Sequence, residues 1–195
     1  MRKPPPVRKF PVPKSRLRMP VLGRRLFLAG AGASLFVPRL AHANVSGVRR
    51  LAFDNIHTGE KLKIDYWAEG QYLHAALAQV NHVLRDFRTG EVHPIAPQLL
   101  DLLSMLRARL ETNEPVSVIS GYRSPKTNAK LRGEHEHSGV ASKSLHMLGK
   151  AVDIRIAGRS LVALHTAALV QRVGGVGYYP QSDFVHVDVG RVRTW

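Results

Sequence analysis

The chain has 195 residues, 44% of them hydrophobic and 22% charged, which suits one globular domain with a tail. It contains no cysteine, so disulfides, thiolate metal sites and cysteine nucleophiles are excluded. Its net charge of +15 does not point to nucleic acid: residues 1–43 carry ten Lys or Arg and no acid, leaving nineteen basic and fourteen acidic residues in 44–195.

Residues 1–43 read as a leader, and 44–195 as the working domain. The first 23 residues are rich in Pro, Lys and Arg and cannot build a core. Arg24-Arg25-Leu26-Phe27-Leu28 then opens an apolar run to Val37, and Ala41-His42-Ala43 has the small-x-small form of a cleavage site. This is similar to a twin-arginine export signal, which implies passage through the twin-arginine translocation machinery and a periplasmic location. The run Leu26–Val37 is 12 residues, short of the ~20 a membrane span needs, so no stable span is expected after cleavage. A leader that stays attached as an anchor is the other reading. Met19 as the true start would give a leader of ordinary length. Folded export would allow a metal to be loaded beforehand.

Leu51–Asn55 and Leu62–Trp67 flank His57-Thr58-Gly59-Glu60, and the alternation predicts a β-hairpin. Apolar residues from Tyr72 to Phe87 recur at three- and four-residue steps, predicting a helix that ends near Thr89-Gly90. Ala96 to Leu110 repeats that pattern. The β-branched run Val116–Ser120 predicts a strand broken at Gly121-Tyr122-Arg123-Ser124-Pro125. A short helix over Lys126–Leu131 and a polar loop over Gly133–Ser142 follow. Ala151–Ile156 alternates as a strand with Asp153 opposite its apolar set. Ser160 caps a helix to about Val173, which Gly174-Gly175 stops. Val176–Tyr179 and Phe184–Val189 are the last strands, turned at Pro180-Gln181-Ser182, with His186 and Asp188 on one face.

His146, Asp153 and His186 offer three ligands to one zinc ion and leave the fourth position for water, as a catalytic site requires. Asp183, three residues before His186, is the candidate general base and acid. Arg123, on a loop leaving a strand, is either a fork for a carboxylate or polarised carbonyl or an exposed turn residue. Asp188 or Ser144 would orient a histidine ring through its other nitrogen. His74, His82 and His165 read as packing or solvated residues. His135 and His137 alternate in the polar loop, a poor scaffold for a tight site. No G-x-S-x-G elbow supports a serine nucleophile.

Gly121-Tyr122-Arg123-Ser124, Ser144-Leu145-His146 running through Gly149, Ala151 and Asp153, and Asp183-x-x-His186 together resemble the zinc D-Ala-D-Ala peptidase family of the hedgehog/D,D-peptidase fold. The whole of 44–195 is most similar to its MepK-like murein endopeptidase branch. The pattern S-x-H-x-x-G-x-A-x-D is matched at every fixed position. The resemblance implies an α+β fold: a small, mostly antiparallel sheet carrying the zinc site, with helices packed against it. It implies one Zn2+ held by His146, Asp153 and His186, with Asp183 as catalytic acid/base and Arg123 as the arginine for substrate or transition state. Two positions depart from many relatives: Phe184 stands where a histidine is common, and Asp183 where some use Glu. The expected function is hydrolysis of peptide cross-links in peptidoglycan. The alternatives are a D,D-carboxypeptidase or dipeptidase acting on D-Ala ends, and a non-catalytic wall-binding module.

Overall fold

In the computed structural model, which describes residues 47–133 and 140–195, the alternating runs form the expected hairpin. Strand β1 is Arg49–Asn55 and β2 is Lys61–Ala68, paired antiparallel with Leu51 opposite Ile64 and Phe53 opposite Leu62. A two-residue strand β3, Gln71–Tyr72, extends the sheet beside β2. Helices α1 (His74–Val83) and α2 (Pro97–Arg109) follow, then β4 (Val116–Ser120) and α3 (Pro125–Gly133). The second half runs β5 (Ala151–Ile156), α4 (Leu161–Gln171), β6 (Gly175–Tyr179), β7 (Phe184–Asp188) and β8 (Arg193–Thr194). The leader, and His135 and His137 of the polar loop, lie outside the described residues. No helix among the described residues is long and apolar enough to cross a membrane.

All eight strands form one sheet in the order β3-β2-β1-β4-β5-β7-β6-β8. The pairs β1–β4 and β6–β8 are parallel and the others antiparallel, so the fold is α+β on a mixed sheet. Leu99, Leu103 and Leu106 of α2 and Leu164 of α4 share a single core with Phe53, Val118, Ile154, Val185 and Val187 of the strands. The period of two then gives the sheet its division of labour. Val152, Ile154 and Ile156 of β5 go to the core, and Asp153 goes to the other face. On β7 the same alternation sends Val185 and Val187 inward and His186 with Asp188 to the face of Asp153.

One helix is shorter than its periodicity predicts. Helix α1 stops at Val83 instead of continuing to Thr89-Gly90. The carbonyl of Leu84 accepts from the Tyr122 amide at 2.7 Å, and this partner takes the place of the next helical turn. Asp86 is turned the same way: its buried carboxylate accepts from the amides of Ser124 at 2.9 Å and Arg88 at 3.0 Å. A tertiary bond overrides the local pattern there. At the other end, Tyr72 pairs with Trp67 as part of β3 and so lies outside the helix.

Burial works to raise the Asp86 carboxyl, but bonds from Thr127, Ser124 and Arg88 outweigh it and bring its pKa down to about 2. A carboxyl depressed in the folded state stabilises above its unfolded pKa of about 3.9 and loses that contribution as pH falls through its folded value. Asp86→Asn is therefore expected to be less stable than the parent at neutral pH, by on the order of 2 kcal/mol. That gap should shrink between about pH 4 and pH 2. Urea unfolding of both proteins across this range checks it; a gap that stays constant with pH refutes the assignment.

Candidate metal centre and its cleft

His146 sits in a single 3-10 turn, Leu145–Leu148, which is locally determined at both ends. Ser144 caps it, its Oγ accepting from the His146 amide at 3.4 Å. Gly149 closes it in the left-handed region at φ 62°. A side chain at Gly149 would also collide with the Pro94 carbonyl, so both conformation and space require glycine. The Gly149 carbonyl in turn accepts from Ala96, tying the turn to the start of α2.

The loop after β4 wraps the same histidine. Gly121 passes so close to Leu84 that a Cβ would strike its carbonyl. The Gly121 carbonyl, 2.7 Å from His146 Nδ1, can only accept, so Nδ1 carries the proton and Nε2 keeps its lone pair. The Arg123 amide bonds back to the His146 carbonyl at 3.3 Å. Tyr122 anchors the loop by stacking on His93 and donating to Glu91 at 2.7 Å. Burial and that bond push its phenol up to about 12.

Asp153 and His186 stand directly opposite each other in the β5–β7 register. His186 has a carboxylate at each ring nitrogen, Asp188 Oδ2 3.2 Å from Nε2 and Asp153 Oδ1 2.8 Å from Nδ1; with a cation at the Asp153 side, Nε2 would keep its proton for Asp188 and Nδ1 would offer its lone pair. Both imidazoles thus turn one nitrogen inward, and each is held by a partner on its far nitrogen. Ser144 plays no such part, since its hydroxyl serves the backbone and a carbonyl holds the His146 ring.

The three inward atoms form a compact triangle. His146 Nε2 is 3.2 Å from His186 Nδ1, His186 Nδ1 is 2.8 Å from Asp153 Oδ1, and His146 Nε2 is 3.2 Å from Asp153 Oδ1. All three residues are buried. Three acceptors this close need a cation between them or protons to separate them. Ligands at zinc bond lengths around a tetrahedral ion stand about 3.3 Å apart, so the triangle fits one face of such a site. Among the described residues this is the one group of three metal-capable side chains. Burial alone would raise the Asp153 carboxyl, but the neighbouring His146 and His186 rings hold it well below the usual carboxylate range. For His186 burial works downward, and its bonds to Asp153 and Asp188 overcome this and raise its pKa.

Arg123 joins the cluster. Its Nη2 lies 3.5 Å from Asp153 Oδ2 and 3.4 Å from Ser120 Oγ, and its buried Nε has no hydrogen-bond partner among the described residues. Burial pulls its pKa down while Asp153 opposes this, and the ordinary value is so high that it stays charged. It lines an open cleft of about 330 Å³ together with Lys143, His146, Tyr179, Phe184 and Trp195. Asp183 is placed differently. It follows the turn Pro180–Ser182 in the left-handed region, its side chain is exposed, and Oδ2 meets Arg155 Nη1 at 2.6 Å. It is not among the residues lining the cleft. Periodicity also offered no sign of Arg193 and Trp195 at the cleft, because the two-residue β8 is too short to show one. His82 and His165 stand apart, His82 facing Glu60 and His165 stacked on Tyr178.

A buried His-Asp-His triangle on the polar face of an α+β sheet, open to a cleft with an arginine beside it, is the arrangement of a protein that could hold one metal ion at a substrate cleft. Comparison with known proteins narrows this. The chain belongs to the family described as peptidoglycan L,D-endopeptidase MepK, whose profile matches residues 43–195. The peptidoglycan L,D-endopeptidase MepK of Escherichia coli strain K12 is 44% identical over 177 residues, 88% of this chain and 96% of that protein. The probable peptidoglycan L,D-endopeptidase MepK of Haemophilus influenzae is 39% identical over 178 residues, 88% and 95% of the two chains. More distantly, the zinc D-Ala-D-Ala carboxypeptidase of Streptomyces albus G is 28% identical over 125 residues, covering 60% of this chain and 46% of that protein.

Proposed function

We propose that the chain is an exported zinc endopeptidase that hydrolyses peptide cross-links of peptidoglycan. The observation that carries this is the triangle of His146, Asp153 and His186 with one nitrogen of each ring turned inward, in a chain 44% identical to a peptidoglycan L,D-endopeptidase. These three residues would hold one Zn2+. Bound there, zinc supplies a Lewis acid that polarises the scissile carbonyl and makes water acidic enough to attack near neutral pH. Asp153 contributes the single negative charge of the set, and Gly121 and Asp188 hold the two rings aimed through their far nitrogens. Arg123 faces the same space with donor capacity unused, and in this reading it binds the oxygen on which negative charge grows.

Asp183 is the acid/base in this reading. It takes a proton from the attacking water and returns it to the leaving amine. What supports this is its position three residues before His186 and directly before Phe184, which lines the cleft. Arg155 pairs with its carboxylate. The cations Arg123 and Lys143 at the cleft suit stem peptides that carry free carboxylates. Residues 1–43 act as a twin-arginine leader in this account, delivering the domain to the periplasm; the family match beginning at residue 43 supports that boundary.

Incubating the purified protein with isolated sacculi and separating the muropeptides tests the reading. Cross-linked dimers should disappear, and a chelator should prevent it. Loss of terminal D-Ala alone would instead make the chain a carboxypeptidase, the activity named in the Streptomyces relative. Unchanged sacculi would make it a wall-binding module.

A further inference from the structure

Asp188 is completely buried, and every part of its carboxylate is in use. Oδ1 accepts from the amides of Gly175 and Gly190, both at 2.8 Å, and from Arg193 Nη1 at 3.2 Å. Oδ2 accepts from Arg193 Nη2 at 2.7 Å and from His186 Nε2 at 3.2 Å. Five donors meet an acceptor with about four lone-pair sites, so the group has no free direction to turn. The arginine contributes a two-pronged fork, which fixes the carboxylate plane as well as its charge. Strand β8 delivers that fork. It pairs parallel with β6, setting Arg193 beside Gly175, whose amide shares the same carboxylate. Burial alone would raise the Asp188 carboxyl, but bonds from His186, Arg193 and the two glycine amides hold it well below the usual range.

The same segment covers the histidine. The guanidinium of Arg193 lies 4.8 Å over the Trp195 ring, and that ring packs 5.2 Å from His186. Trp195 Nε1 donates to the Tyr179 hydroxyl at 2.6 Å, which holds the indole at the cleft wall.

We propose that Arg193 and Trp195 are positioning residues of the metal centre: Arg193 locks Asp188 so that the His186 ring presents Nδ1 to His146 and Asp153, and Trp195 closes over that ring. The inference rests on the ligand set proposed above and extends it to two residues that supply none of its three ligands. It separates this role from a mere fold staple, because a staple would change stability without changing the grip on the metal.

Zinc dissociation constants of the full chain, measured by chelator competition, test it alongside unfolding of the metal-free proteins. Arg193→Gln should bind zinc about 10- to 100-fold more weakly, the scale seen when a partner behind a ligand is lost. Arg193→Lys should recover part of this, since it restores the charge without the fork. Zinc affinity of Arg193→Gln within about threefold of the parent overturns the proposal, even if its stability falls. The unsubstituted protein gives a second reading should a variant fail to fold. In its zinc-loaded form, nitrogen NMR of the His186 ring should place the proton on Nε2, and a proton on Nδ1 overturns the proposal. A parent that binds no zinc removes the ligand reading itself. If His146→Ala loses zinc while Arg193→Gln keeps it unchanged, only the role of Arg193 fails.

Discussion

His146→Ala should lose its zinc and at least about a thousandfold in kcat/KM, because the charge stabilisation a metal supplies is worth several kcal/mol. The residue contributes one corner of a triangle whose edges are 2.8 to 3.2 Å. Without it Asp153 and His186 remain, a carboxylate and one ring with no third neighbour to close the site. The substitution also leaves the Gly121 carbonyl without its ring donor, so the arginine loop keeps only the backbone bond from the Arg123 amide to residue 146. Metal analysis after dialysis and muropeptide turnover measure the two effects. Circular dichroism guards against simple unfolding. A His146→Ala protein that retains a full equivalent of zinc would mean that the ion sits elsewhere.

Asp183→Asn is the sharper test of chemistry. It should keep its zinc and lose about 10²- to 10⁴-fold in kcat, with KM little altered, as expected for removing a general acid/base and nothing else. The substitution suits the site. Asp183 adopts a left-handed backbone, which asparagine tolerates as readily as aspartate. Its partner Arg155 is a half-exposed surface cation, so the lost ion pair costs at most about 1 kcal/mol. Little besides proton transfer changes. Turnover equal to the parent would assign the base to another group and return Asp183 to a surface role with Arg155.

Much of this molecule is legible in its sequence because much of it is local. Alternation in Ala151–Ile156 and Phe184–Asp188 already separates core from polar face, and it sends Asp153, His186 and Asp188 the same way. The Ser144 cap and the left-handed Gly149 are properties of a few neighbouring residues, and they shape the turn that carries His146. Where a distant partner intervenes, the pattern misleads. Helix α1 ends early because Leu84 and Asp86 bond the loop after β4, a segment more than thirty residues away. Strands β3 and β8 are two residues each and exist only through their neighbours.

The sequence by itself determined the chemistry available: no thiols, a His-Asp-His set, an acid three residues before the last histidine, and an arginine on a strand-ending loop. It determined most elements too, since periodicity and capping act over one turn or one pleat. Only the tertiary structure decided which nitrogen of each imidazole faces inward, that Gly121 and Asp188 enforce it, that Arg193 arrives to clamp Asp188, and that Asp183 rests against Arg155. Those outcomes depend on sheet order and register, which bring residues 121, 146, 153, 186 and 193 together from across the chain. Contacts of that kind are set by packing of the whole core, and no short stretch of residues encodes them.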